Sequence, residues 1–164
     1  MNATPIALAS IAQIRAQVGQ PAVHSPWLTI DQSMIDRFAE VTRDHQWIHV
    51  DTARAAAEAP LGRTIGHGFL TLSLLSHLFA GCFTFPGRRT SLNYGFDRIR
   101  FTAPVVEGAQ VRAAVTLAEA ADIGDGEVRC HWDLRIEIAG SERPALVARW
   151  LVQMRYDAAA RGFR

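Results

Sequence analysis

Thr64–Gly81, TIGHGFLTLSLLSHLFAG, is the stretch whose reading decides the fold. Beyond its Gly66-His67-Gly68 entry it is apolar nearly all round from Gly68 to Ala80, and a helix without a polar face has to be buried. The run is too short for a membrane span, which takes about 20 apolar residues, and Ser73, Ser76 and His77 interrupt it. It reads as the central helix of a folded core. Just upstream lies Val41–Asp51, VTRDHQWIHVD, which gathers Asp44, His45, His49 and Asp51 within eight residues. Ionisable groups therefore stand beside a buried helix, where a site can hold them close together and partly out of water.

Downstream the pattern changes to strands. Leu92 to Val106, Val111 to Leu117, Glu127 to Ile138 and Ala145 to Tyr156 are β-rich runs, the last three set off by Gly124, Gly126, Gly140 and Pro144. Short turns between successive strands imply antiparallel pairing, and the apolar face of such a sheet needs cover. The expected class is α+β, with an antiparallel sheet wrapped around the Gly68–Ala80 helix. Upstream, Pro5 can open a first helix that runs to about Val18, and Trp27 to Ile30 is extended. Asp31 is a good N-cap for a helix carrying Met34, Ile35, Phe38, Ala39 and Val41. Asp51 to Glu58 is alanine-rich and helix-prone. No repeat, linker or low-complexity segment divides the chain, so one domain is expected over residues 1–164, with an N-terminal helix and loop at 1–26 and a tail at 157–164.

The formal charge is +1, from 17 basic and 16 acidic residues. No global field favours nucleic acid or an anionic membrane as partner. Cys82 and Cys130 lack metal-ligand spacing and read as free thiols. The N-terminal segment lacks the basic start and unbroken apolar core of a signal peptide. A cytoplasmic protein is expected.

Asp44 and His49 are five residues apart, which does not place them on one face of a regular helix, although a loop or broken turn can converge them on one water. With reference pKa values of about 3.9 and 6.5 they pair an ionised carboxylate with a neutral imidazole near neutral pH, able to remove one proton and donate another. The alternative is an Asp cap with a hydrogen-bonded His nearby. His45, Asp51 and His67 add polar groups, but no metal signature such as HExxH is present, and no metal is expected. Gly66 and Gly68 permit close backbone approach at a helix start, whether to a ligand or to a packing neighbour. Trp47 and Ile48 anchor their loop by burial, and His77 reads as a core or interface residue. Ser73 and Ser76 lie outside any GxSxG, which disfavours a serine hydrolase. The absence of GxGxxG and P-loop motifs leaves nucleotide-dependent chemistry without support.

RDHQWIHVD, GRTIGHGFLTLSLLSHL and NYGFDRIRFTAPVVEG together resemble the MaoC-like dehydratases, a family that includes R-specific enoyl-CoA hydratases and a nodulation protein N-like branch, to which DHQWIHVD is most similar. The resemblance spans about Trp27 to Val152 and implies a hot-dog fold. Asp44 and His49 fall on the two catalytic positions of the hydratase motif Gly-Asp-x-Asn-Pro-x-His. Arg43 stands where that motif has Gly, Gln46 where it has Asn and Trp47 where it has Pro. Gly68 matches a glycine whose N–H is implied to bind the thioester oxygen, and Ser76 a serine that helps orient the Asp. Gly66 stands where Ala is common.

The implied reaction is reversible hydration of a trans-2-enoyl thioester to the (R)-3-hydroxyacyl thioester, within fatty acid metabolism and without metal or redox cofactor. Coenzyme A or an acyl-carrier protein would carry the acyl group. His67, Gly66, Arg98 and Arg100 are the candidate substrate-binding residues, the arginines toward CoA phosphates. A homodimer is expected, because a hot-dog domain leaves strand edges open. The alternatives are an acyl-CoA thioesterase and a non-catalytic acyl-thioester binding or partner subunit.

Overall fold

The structure, a computed structural model, describes residues 4–156. The tail expected at 157–164 lies outside the described residues. In chain order the elements are β1 (Ile6–Ala7), α1 (Ile11–Ala16), β2 (Val23–His24), β3 (Leu28–Thr29), α2 (Gln32–Thr42), α3 (Trp47–Val50), α4 (Thr52–Glu58), α5 (Gly68–Ser73), α6 (Leu75–Ala80), β4 (Phe83–Thr84), β5 (Arg88–Phe101), β6 (Gln110–Gly124), β7 (Glu127–Ile138) and β8 (Leu146–Tyr156).

The four long strands form an antiparallel sheet ordered β6-β7-β8-β5, with β2 and β3 both pairing to β6. On β7, Val128, Cys130, Trp132, Leu134 and Ile136 alternate with more exposed Arg129, His131, Asp133, Arg135 and Glu137. A strand's side chains point to opposite faces in turn, so one face of the sheet is apolar. Leu70, Leu75, Leu78 and Phe79 of α5 and α6 bury into that face. Phe79 is the hub, with ring centroids 4.9 Å from Trp132, 5.2 Å from Trp150 and 5.6 Å from Phe83. This is the sheet-around-helix, α+β hot-dog arrangement.

Four features differ from the sequence expectation. The central helix is interrupted at Leu74, between α5 and α6. Ser73 Oγ donates to the Phe69 carbonyl at 2.7 Å, a side-chain bond that competes with the helical ladder. Leu74 itself remains right-handed, and the bonds Leu74 N–H to Leu70 O and Leu78 N–H to Leu74 O carry the rod through the irregularity. Nor is the rod buried on every side, because Phe69, Ser73, Ser76, His77 and Ala80 form one exposed stripe.

The N-terminal helix is shorter than expected, since residues 6–7 instead form a parallel pair with Phe83–Thr84. Ser10 sets the start of α1 by accepting from Gln13 N–H, while the Gln13 side chain accepts from Ala9 N–H at 2.7 Å. This is close to a capping box, a signal present in Ser10-x-x-Gln13. Finally, β5 starts at Arg88 and stops at Phe101, ahead of Pro104, which has no N–H to donate to a ladder. Tyr156 Oη donates to Leu8 O at 2.8 Å and joins the last strand to the N-terminal segment. Among the described residues no helix is long and apolar enough to cross a membrane.

Candidate active site

Asp31 caps α2 as expected, accepting from Met34 N–H at 2.9 Å. The helix ends at Arg43, whose φ of 62° and ψ of 23° are left-handed. A left-handed residue turns the chain sharply out of a helix, and glycine takes this conformation at least cost. The motif's usual glycine thus has a geometric role here that Arg43 fills under strain. The turn delivers Asp44, whose carboxylate accepts weakly from Gln46 N–H at 3.4 Å and is otherwise largely exposed.

His49 sits on the single turn α3 and is held from several sides. Its backbone N–H donates to Gln46 O at 2.9 Å, and its carbonyl accepts from Gln32 Nε2 at 2.8 Å. Gln32 is fixed in turn by the buried Thr64, which donates to its side-chain oxygen at 2.5 Å. The His49 Nδ1 lies 2.6 Å from Ile65 O. A carbonyl oxygen only accepts, so Nδ1 carries the proton and Nε2 keeps its lone pair. Burial pushes the His49 pKa below the usual histidine value of 6.5; the Ile65 carbonyl opposes this shift, His67 adds to it and Asp44 opposes it. The imidazole is therefore kept as a neutral base.

His67, the residue before α5, stacks on His49 with ring centroids 3.7 Å apart and planes 25° from parallel. Its Nε2 is 3.0 Å from the Asp44 backbone oxygen and 4.0 Å from the Asp44 carboxylate. Donor atoms of Asp44, His49 and His67 all fall within 4.8 Å of one another, close enough to share a proton network or chelate a cation. Two of the four ring nitrogens already face backbone carbonyls. His45 and Asp51 do not join them: His45 is 4.0 Å from Glu40, and Asp51 caps α4 by accepting from Arg54 N–H at 2.9 Å. Trp47 is half-buried beneath the Arg54 guanidinium.

A cavity of about 270 Å³ opens beside His49, with Gly66, Gly68, Thr71 and Phe101 in its wall. His67, 3% exposed and packed between His49 and Phe38, lies behind that wall. Gly66 N–H is used by Val105 O at 2.8 Å, and a methyl group at Gly66 would meet only ordinary contacts of 3.7 Å or more. A methyl at Gly68 would come within 3.1 Å of the Phe101 ring. Ser76 lies about 12 Å further along the helical rise, at 1.5 Å per residue. It lines a second cleft, of about 590 Å³, with Phe79, Phe85, Leu92 and Trp150. Arg98 and Arg100 pair with Arg149 and Val147, a register that puts both on the sheet face opposite the helix. Arg98 borders a groove there with Asp97, Asp133 and Arg149.

The sequence thus pointed to Asp44, His49, Gly66, His67 and Gly68, which the fold brings together, and to Ser76, Arg98 and Arg100, which it leaves apart. It gave no sign of Gln32, Thr64 or Phe101, whose places depend on contacts between residues distant in the chain.

A family model described as the MaoC like domain matches residues 13–131. The chain is 44% identical over 149 residues to Nodulation protein N of Rhizobium leguminosarum bv. viciae, covering 90% of this chain and 92% of that one. It is also 44% identical over 144 residues to 3-hydroxyacyl-thioester dehydratase Z of Mycobacterium tuberculosis, covering 88% and 95%. Among solved structures, its fold is similar to the unliganded R-hydratase PhaJ1 from Pseudomonas aeruginosa, with a TM-score of 0.68, 24% identity, and 91% and 86% of the two chains covered. A monoamine oxidase regulatory protein from Archaeoglobus fulgius gives a TM-score of 0.73 at 21% identity, covering 96% and 99%.

Proposed function

This chain belongs to the MaoC-like domain family, and a relative 44% identical to it is named a 3-hydroxyacyl-thioester dehydratase; on that basis we propose that it reversibly hydrates trans-2-enoyl thioesters to (R)-3-hydroxyacyl thioesters. The observation that carries this reading is the convergence of the Asp44 carboxylate and His49 beside the cavity that Gly68 lines. Water held between Asp44 and His49 gives a proton to His49 Nε2 as its oxygen adds to the β-carbon. A proton returned from the pair goes to the α-carbon, so one O–H bond of water is broken and its two fragments end on adjacent carbons. Negative charge passes to the thioester oxygen on the way, and the Gly68 N–H is our assignment for the donor that receives it. These residues supply both the proton transfers and the charge stabilisation, and the scheme calls for no metal or redox cofactor.

The acyl carrier is proposed to be coenzyme A, and the working unit a homodimer that covers the exposed stripe of α5 and α6. The deciding assay uses purified protein with crotonyl-CoA and a long-chain enoyl-CoA, following conjugated-thioester absorbance and free thiol together. Loss of absorbance without thiol release, with (R)-3-hydroxyacyl-CoA as product, is the expected result. Thiol release would mark a thioesterase, and no change in either signal a binding subunit.

A further inference from the structure

His67 is a buried side chain that the hydration scheme leaves without a task, yet three of its features are specific. It stacks face to face on the proposed base at 3.7 Å. Its Nε2 is 3.0 Å from the Asp44 carbonyl, so Nε2 must carry the proton. Its Nδ1 is then a bare acceptor, and that atom is buried with no hydrogen-bond partner among the described residues. Buried polar atoms are nearly always satisfied, and a packing role alone would be filled by an apolar ring without leaving this one orphaned.

We propose that His67 is a positioning residue, whose Nε2–H holds the Asp44 backbone and so sets where the Asp44 carboxylate stands relative to His49. The need for such a tether follows from the turn itself. Asp44 comes directly after the left-handed Arg43, on an exposed segment whose own side-chain bond is the 3.4 Å contact to Gln46 N–H. The His67 bond ties that segment to the start of α5, which also carries Gly68. One ring thereby links the carboxylate, the base and the proposed oxyanion donor in one frame. The charged or titratable groups beside His49 are Asp44 and His67, and His67 opposes a positive charge on it.

This inference rests on the hydratase reading and is tested with crotonyl-CoA on the full chain. His67→Phe keeps a ring but loses the donor, whereas His67→Gln loses the ring and keeps an N–H at nearly the Nε2 position. The expected result is a kcat lower by about 10- to 100-fold for Phe with KM little changed, the scale of loss from displacing a reacting group by about an ångström, and a Gln variant within about threefold of wild type. A Phe variant as active as wild type, a loss confined to KM, or Gln no better than Phe would overturn the assignment. Should the Phe variant fail to show native-like thermal unfolding, the Gln variant decides by the same limits. Side-chain ¹⁵N shifts of His67 in the wild-type protein give a readout independent of turnover: an Nε2–H tautomer is expected, and an Nδ1–H tautomer overturns the proposal. An inactive wild-type enzyme with the expected tautomer would defeat the hydratase reading while leaving the tether intact.

Discussion

Asp44 and His49 are the residues whose removal should cost turnover and little else. Asp44→Asn and His49→Ala are each expected to lower kcat by at least about 100-fold, the low end for a general acid–base group, with native-like unfolding retained. A folded variant of either with near-normal turnover removes that residue from the mechanism. The environment of His49 also sets the pH response. Burial favours the neutral imidazole and holds its pKa below 6.5, so the base stays competent until the pH drops beneath that value. The hydration kcat/KM should therefore decline on acidification with a midpoint below 6.5; a midpoint at or above it would contradict the burial argument. Folding follows the same sign, since the unfolded chain binds a proton at His49 more readily and is favoured as pH falls through that window. At this scale the sequence was legible where chemistry is local. Asp44 and His49 carry their motif with them, and even the unusual Arg43 marks the residue that turns left-handed. His67 was visible as a polar group at a helix start, but its stacking partner depends on how residues 47–50 return against 65–67.

The helix start at Gly68 is where an element, rather than a side chain, carries the proposed chemistry. Gly68→Pro deletes the N–H outright, and Gly68→Ala keeps it. The alanine methyl is not free of consequence, because it would approach the Phe101 ring to 3.1 Å, and Phe101 has to give way toward solvent. If the donor matters, Pro should still lose far more turnover than Ala, on the order of 100-fold for one oxyanion-hole donor. Equal losses in two variants with wild-type thermal unfolding would move the assignment to another group. The elements themselves were largely legible: the cap at Asp31, the helix it starts and the strand Glu127–Ile138 all follow from local pattern. Those that were missed are short and set by partners far away. The pair β1–β4 exists because residues 6–7 meet residues 83–84, and α3 is one turn held by Gln32 and Ile65. Such contacts leave no periodic trace.

At the scale of the whole molecule, a 14-residue strand at the sheet edge is the feature most in need of a partner. β5 presents Leu92 at 62% exposure and Tyr94 at 56%, and the helix stripe adds Phe69 at 67%. An exposed edge with apolar side chains invites pairing with another copy or aggregation. Sedimentation or light scattering should give twice the mass of the 164-residue chain at assay concentrations, and Leu92→Asp should weaken the pair. A fully active monomer would contradict the expectation. The sequence implied open edges, but which edge is left bare depends on the strand order. The bond between Tyr156 and Leu8 has a different kind of consequence, for topology rather than association. It brings the first and last segments of the described fold together, so that the backbone path is nearly a closed ring. The order in which the elements are synthesised is then one of several cyclic orders compatible with the same packing, and the exposed turn at residues 140–142 is a point where such a ring could be opened without cutting a strand.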